Sequence, residues 1–233
     1  MSIVTKLFGN AIDTLTKTAD SATKMADVMP SKVELPPPEN AQKTQLGKST
    51  IPTYEKAYKM LDEMGIPEDR LDYGAGRGIG AQQVGAMTYE PFSKDWNPDF
   101  TNSADIPDES FSAVTSFNVL NVVPREMRDQ IVTDIARILK PNGTAIISTR
   151  GRDVLNAKGK LGDEPMSIIT TAGTYQKGFT PKELREYAQE LLGSTFEVKN
   201  VPKLGQAAIQ IKKLPVEYAD INADTLPQPL EGL

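Results

Sequence analysis

The chain has 233 residues, 26 Lys and Arg against 31 Asp and Glu, and a formal charge of -5. It holds neither cysteine nor histidine, which excludes disulfides, thiolate nucleophiles, Cys- or His-ligated metals, Ser-His-Asp triads and imidazole bases. Any chemistry must come from carboxylates, Lys, Tyr, Ser/Thr, backbone amides or a bound cofactor, and no metal is expected. The length suits one domain with tails. The longest apolar runs fall far short of the roughly 20 residues of a membrane span. The first residues lack a secretory apolar stretch and a small-residue cleavage site. The expectation is a soluble, cytoplasmic protein.

Residues 1–48 read as an arm and linker. Ile3, Leu7, Ile12, Leu15, Ala19 and Ala22 make a loose helical stripe over residues 1–28. It suits either a helix docking on a protein partner or a weak, partly disordered terminal arm. Pro36-Pro37-Pro38 marks an extended linker over residues 29–48. The domain is expected over 49–213. Thr50 is a candidate cap, and Tyr54, Ala57, Tyr58 and Leu61 repeat at helical spacing until Gly65-Ile66-Pro67. A short strand, Arg70 to Tyr73, leads into a Gly-rich turn, a brief helix to about Ala86, and a strand candidate, Met87 to Glu90.

Residues 91–110 are polar and irregular. Phe111 to Phe117 reads as a buried strand. Pro124 to Lys140 is a helix with Met127, Ile131, Ile135, Ile138 and Leu139 on one face, ended by Pro141-Asn142-Gly143. Thr144 to Thr149 is the next strand. Residues 151–178 are Gly-rich and variable in character. Thr180-Pro181-Lys182-Glu183 is a capping box with Pro at the first helical position. Phe196 to Val201 and Ala207 to Ile211 close the domain as two successive strands. Residues 214–233 carry four acidic side chains and no basic one, an acidic, Pro-containing tail. Alternating strands and helices predict an α/β class, doubly wound around a mainly parallel sheet, with an antiparallel C-terminal edge hairpin.

A glycine-rich turn between strand and helix lets backbone amides approach a ligand and aims a helix end at it. Gly76-Arg77-Gly78-Ile79-Gly80-Ala81 fits the dinucleotide pattern G-x-G-x-x-A. Leu71-Asp72-Tyr73-Gly74-Ala75-Gly76-Arg77-Gly78 fits another pattern better. It resembles motif I of the class I S-adenosylmethionine-dependent methyltransferases, an acidic residue followed by G-x-G-x-G. An Asp two residues ahead of the turn suits a ligand with an ammonium and a sulfonium, and suits a pyrophosphate poorly.

The resemblance extends in order over about residues 50–212. It implies a Rossmann-like methyltransferase core and S-adenosyl-L-methionine as cofactor. Glu90, followed by Pro91, stands where the family's acidic residue binds the ribose hydroxyls. Asp105 and Ile106 stand where the family contacts adenine, Asp105 accepting from the amine and Ile106 packing on the ring. Asn118 opens the turn after the fourth strand. The implied cofactor-binding set is Asp72, Tyr73, Gly74, Ala75, Gly76, Glu90, Pro91, Asp105, Ile106 and Asn118. No catalytic residue can be picked.

The chain departs from the family in three places, one being a first strand, flanked by Asp69 and Arg70, that is unusually polar. Only 16 residues separate Gly74 from Glu90, so the first helix is abbreviated, and residues 91–102 leave little room for the second. Several of these residues also have plainer uses. Asp72 and Asp105 could cap turns, and Glu90 could be a surface carboxylate. Asn118 and Asn121 could merely form a turn, and Trp96 and Phe100 could pack over the sheet where the second helix is lost. Arg150 and Arg152 could simply be solvated.

The methyl acceptor is open between a small molecule and a polymer. Nucleic acid is disfavoured. The place after the fourth strand reads Asn118-Val119-Leu120-Asn121 rather than the Pro-Pro motif of DNA amino-methylating enzymes, cytosine-C5 chemistry needs a Cys, and aromatic residues are only 6%. Three functions stand at this point. The first is methyl transfer to an O or N atom. The second is a non-catalytic, methyltransferase-like binding or structural module, as in a virus-encoded or particle-associated protein. The third and weakest is an NAD-dependent oxidoreductase, against which Asp72 speaks.

Overall fold

The computed structural model describes residues 33–44 and 51–215. The N-terminal stripe of residues 1–28, Thr50 and the tail of residues 216–233 lie outside them. The chain divides into Met1–Glu34 and Leu35–Leu233, and the fold below is that of the second unit. Where the sequence suggested an extended linker, Pro38–Thr44 forms a 3-10 turn. Proline's fixed φ near −65° suits such a turn as well as an extended chain.

The main sheet has six strands. They are β1 (Arg70–Tyr73), β2 (Met87–Tyr89), β3 (Phe111–Phe117), β4 (Leu139–Thr149), β8 (Phe196–Asn200) and β9 (Ala207–Lys213), in the spatial order β2-β1-β3-β4-β9-β8. The first four run parallel. β9 pairs antiparallel with β4, and β8 with β9, which is the expected edge hairpin. The helices are α1 (Pro52–Glu63), α2 (Ile79–Val84), α3 (Arg125–Ile138) and α4 (Pro181–Leu192).

Both faces of the sheet are covered, and the strands' period of two divides the core between them. Leu71, Val114, Ala145, Ile147 and Ile209 point to the side where α3 brings Ile131, Val132 and Ile135, and α4 brings Leu184 and Ala188. Ala113, Phe117, Ile146 and Ala208 point to the other side and meet Tyr54, Ala57, Tyr58 and Leu61 of α1. The polar sequence of β1 is compatible with full burial because α1 and its neighbours supply partners. Arg70 Nη2 donates to Asp62 Oδ1 at 2.7 Å and its Nε to the Pro67 carbonyl at 2.9 Å.

Two boundaries differ from expectation. Ile51, not Thr50, stands at the N-cap of α1, and its amide is satisfied by Gln83 Oε1 at 2.9 Å. α3 ends at Ile138. Pro141-Asn142-Gly143 then lies inside β4, where Asn142 takes a φ of 65° and the register to β3 shifts.

The larger departure is a second sheet. β5 (Gly159–Leu161), β6 (Ser167–Thr170) and β7 (Tyr175–Lys177) form an antiparallel meander inside the segment read as variable. It is fastened to the loop after β3, where the Lys177 amide donates to the Asn121 carbonyl at 2.7 Å. Between β2 and the short turn Ser103–Asp105 no helix forms among the described residues. A single parallel bridge joins Tyr89 to Phe100, so the compacted region is as short as the spacing required.

Candidate functional site

The strand order reverses direction at β1. The chain passes from β1 outward to β2, then returns to the other side of β1 for β3. Such a switch point leaves a crevice beyond the carboxyl ends of the strands, the usual ligand site in an open α/β sheet. A cleft of about 830 Å³ lies there, and Gly74, Gly76, Glu90, Phe117, Asn118 and Asp134 are among its lining residues. That volume falls within the roughly 300–1,000 Å³ of small-molecule sites.

The turn after β1 takes its shape from glycine. Gly74, Gly76 and Gly78 all have positive φ, at 82°, 62° and 71°, a region that costs other residues strain. The turn is also tied back to β2, since the amides of Gly74 and Ala75 both donate to the Tyr89 carbonyl, at 2.8 and 3.0 Å. Gly80 lets α2 lie on α1, because a Cβ there would come within 2.2 Å of the Tyr54 ring. α2 has only six residues and begins at Gly78 without a side-chain cap. The expected helix end is therefore slight, and the backbone turn carries the site.

Glu90 follows β2 and is only 5% exposed. Its Oε2 accepts from the Gly76 amide at 2.7 Å and its Oε1 from the Phe92 amide at 3.1 Å. These bonds fix a carboxylate at the lip of the Gly-rich turn. Asn118 follows β3 with a φ of 58°, which asparagine tolerates better than most residues. Its amide donates to the Ser148 carbonyl at 2.8 Å, so the strand tip is held open toward the cleft.

Of the ten residues picked from the sequence, Tyr73, Gly74, Ala75, Gly76, Glu90, Pro91 and Asn118 line the cleft. The other three do not. Asp72 lies fully buried on the α1 face of β1, where it accepts from Tyr54 Oη at 2.7 Å and from Thr115 Oγ1 at 3.1 Å. Asp105 is exposed. Ile106 is packed in the α3-side core, and Ser103 reaches the cleft in their place. Arg137 holds this turn from α3, donating to the carbonyls of Ile106 at 2.7 Å and Ser103 at 3.0 Å.

Sequence reading missed the far wall of the cleft. Tyr54 enters from α1, and Asp134 and Arg137 from α3. Tyr73 Oη donates to Asp134 Oδ2 at 2.8 Å. The only available signal was that Asp134 and Arg137 lie off the apolar stripe of an amphipathic helix. Burial, then the Asp72 carboxyl beside it, lifts the Tyr54 phenol well above its ordinary value. Burial and Asp134 do the same to Tyr73. Neither phenol ionises at neutral pH. Among the described residues, no group of three or more Asp and Glu side chains could hold a metal ion. No helix among them is long and apolar enough to cross a membrane.

The methyltransferase domain family matches residues 96–147. No curated protein matches the chain in sequence. A solved S-adenosylmethionine-dependent methyltransferase from Clostridium acetobutylicum is similar in fold, with a TM-score of 0.52 and 10% identity over 69% of this chain and 90% of that one. A 1,6-didemethyltoxoflavin-N1-methyltransferase from Burkholderia thailandensis, solved with S-adenosylhomocysteine, gives 0.49 and 18% over 70% and 79%. An S-adenosylmethionine-dependent methyltransferase from Thermotoga maritima gives 0.49 and 16% over 70% and 88%. The sheet order and the structural similarity agree on the fold, a Rossmann-like α/β domain of the kind seen in S-adenosylmethionine-dependent methyltransferases, and residues 96–147 match the methyltransferase domain family.

Proposed function

We propose that this chain is a class I methyltransferase that binds S-adenosylmethionine and transfers its methyl group to an O or N atom of a small-molecule acceptor. The observation that carries this reading is the pairing of the Gly-rich turn with Glu90. A buried carboxylate 2.7 Å from the Gly76 amide offers paired acceptor oxygens to the hydroxyls of a ribose. It repels a phosphate at the same place. The donor set therefore suits an adenosyl sulfonium and disfavours a dinucleotide pyrophosphate.

When bound, S-adenosylmethionine supplies a methyl group on a positively charged sulfur, and transfer is an in-line displacement at that carbon. The protein contributes position. The positive-φ glycines leave room for a close backbone approach. Glu90 holds hydroxyls, and Asn118 and Val119 form the floor at the tip of β3. Tyr54, Phe117 and Ile51 wall the cleft against water. Neither Tyr54 nor Tyr73 serves as a base at neutral pH, which leaves the carboxylates of the lining to take any proton and orientation of the acceptor as the protein's further contribution. The small-molecule size of the cleft and the 6% aromatic content favour a small acceptor over a stacked polymer.

Calorimetry with S-adenosylmethionine, S-adenosylhomocysteine and NAD tests the cofactor. The first two are expected to bind and NAD is not. Glu90→Ala should weaken S-adenosylhomocysteine by at least about 1 kcal/mol, roughly fivefold, as loss of a charge-assisted hydrogen bond does. Unchanged affinity would displace Glu90 from this role, and no binding by wild type would sink the cofactor reading. Transfer of labelled methyl groups into small-molecule extract fractions separates an enzyme from a binding-only module.

A further inference from the structure

The lost second helix leaves the outer side of the Gly-rich turn without the packing a longer crossover would provide. Residues 90–96 occupy that place instead, and they grip Gly76 from two directions. Glu90 Oε2 accepts from the Gly76 amide at 2.7 Å, and Trp96 Nε1 donates to the Gly76 carbonyl at 2.9 Å. The Trp96 ring also closes on Gly78, where a Cβ would lie 2.9–3.2 Å from three ring carbons. So one side chain fixes the carbonyl of one positive-φ glycine and covers the face of the next.

The segment that carries Trp96 is itself anchored. Ser93 Oγ donates to the Trp96 carbonyl. Further on, Asp99 Oδ2 accepts from the Thr88 amide at 2.8 Å and from its hydroxyl at 2.7 Å. The Phe100 amide donates to the Thr88 carbonyl at 3.0 Å, and the Glu90 amide to the Phe100 carbonyl at 3.1 Å. Trp96 thus stands on a short loop stapled to β2 at both ends. It is half-buried and is not among the residues lining the cleft. It reaches a ligand only through the turn that it holds.

We propose that Trp96 is a positioning residue for the cofactor, an assignment that rests on the S-adenosylmethionine reading above and gives the irregular segment 90–96 its purpose. Glycines with positive φ lose more conformational freedom on ordering than other residues. A turn already held in its bound shape spares that loss when the ligand arrives. Trp96 supplies the hold that a helix-backed crossover would otherwise give.

Trp96 is the only tryptophan in the chain, so its emission reports on this contact alone. The probe is S-adenosylhomocysteine, followed by calorimetry and by tryptophan fluorescence on wild type, and by calorimetry on Trp96→Phe. The phenylalanine ring keeps most of the cover over Gly78 and loses the N–H to Gly76. Wild-type emission should shift on titration, with the midpoint that calorimetry gives. Trp96→Phe should keep wild-type circular dichroism and weaken S-adenosylhomocysteine by about five- to tenfold. A Trp that merely fills space would leave emission unmoved by ligand. Silent emission at saturation, or Trp96→Phe binding within about twofold of wild type, overturns the proposal while the cofactor reading stands. The emission arm needs no variant, so it decides even if Trp96→Phe does not fold. Absence of any binding to wild type removes the cofactor reading, and this assignment with it.

Discussion

Asp72 and Tyr73 are neighbours in the sequence, and the pleat of β1 sends them to opposite sides of the sheet. Tyr73 turns toward α3, where it lines the cleft and meets Asp134. Asp72 turns toward α1 and is sealed between Tyr54 and Thr115. The motif marks Asp72 in the sequence, but not which side of the sheet it faces, because that depends on which helix covers which face. Burial drives its pKa up to about 7, against the hydrogen bonds from Tyr54 and Thr115, and Glu90 adds to the rise. The sign of the stability effect follows. An unfolded Asp titrates near 3.9, so between about pH 4 and 7 the folded state binds more protons than the unfolded one. Stability falls as pH rises through that window and levels off above it. Asp72→Asn should remove this component, so that thermal unfolding of the variant is flatter than wild type between about pH 4 and 7. A wild-type slope retained in the variant would assign the effect to another group. Asp105 and Ile106 show the opposite difficulty. Their spacing matched the family, but Arg137 holds their turn by the carbonyls of Ile106 and Ser103, and Ser103 lines the cleft instead.

Elements with a clean period were readable from the sequence. α1 buries the face that the helical spacing indicated and α3 most of its own, and β3 runs over the expected Phe111–Phe117. The capping box of α4 is present in both directions. The Glu183 amide donates to Thr180 Oγ1 at 3.1 Å, and the Thr180 amide to Glu183 Oε2 at 3.3 Å. Thr180→Ala should lower stability by about 1 kcal/mol in denaturant unfolding, and no loss would show the cap to be idle. The second sheet had no such period. β5 is exposed along its whole length, with Leu161 76% exposed, and β6 and β7 are only four and three residues long. What holds the meander is remote in sequence. Arg128 of α3, buried at the ring of Phe179, pairs with both oxygens of Glu164 at 2.5 Å, and Tyr175 Oη donates to Glu164 at 2.7 Å. Burial alone would raise the Glu164 pKa, but the bonds from Arg128 and Tyr175 outweigh it and hold the carboxyl below its usual range. This stabilisation is present at neutral pH and is lost as pH falls through the lowered value. Glu164→Gln, which leaves Arg128 buried and unpaired, should destabilise by about 3 kcal/mol at pH 7. The deficit should shrink in acid, where wild type also loses the charge. A variant as stable as wild type at pH 7 would mean that the pair contributes nothing.

At the scale of the whole molecule, the switch point between β2, β1 and β3 sets where a ligand can enter, and the chain ahead of α1 helps to wall that entrance. Asn40 Nδ2 donates to the Gly173 carbonyl of the β6–β7 turn at 2.9 Å. Ala41 beside it packs on the α3-side core and lines the cleft. A boundary drawn at residue 48 from composition would discard both contacts, because a Pro-rich run carries no signal of what it touches. The chain divides at Glu34, ahead of the Asn40 and Ala41 contacts. Two truncations therefore separate the arm from the wall. Removal of residues 1–34 should leave the unfolding temperature and the affinity for S-adenosylhomocysteine unchanged. Removal of residues 1–48 loses the Asn40 bond and the apolar cover from Ala41. It should cost about 1–2 kcal/mol of stability, the sum of one modest hydrogen bond and a partly buried small side chain. It should also weaken the ligand, because Ala41 is lost from the cleft lining. Equal behaviour of the two truncations would place the working boundary at residue 48. Loss of ligand binding already at residue 34 would make the first unit part of the site.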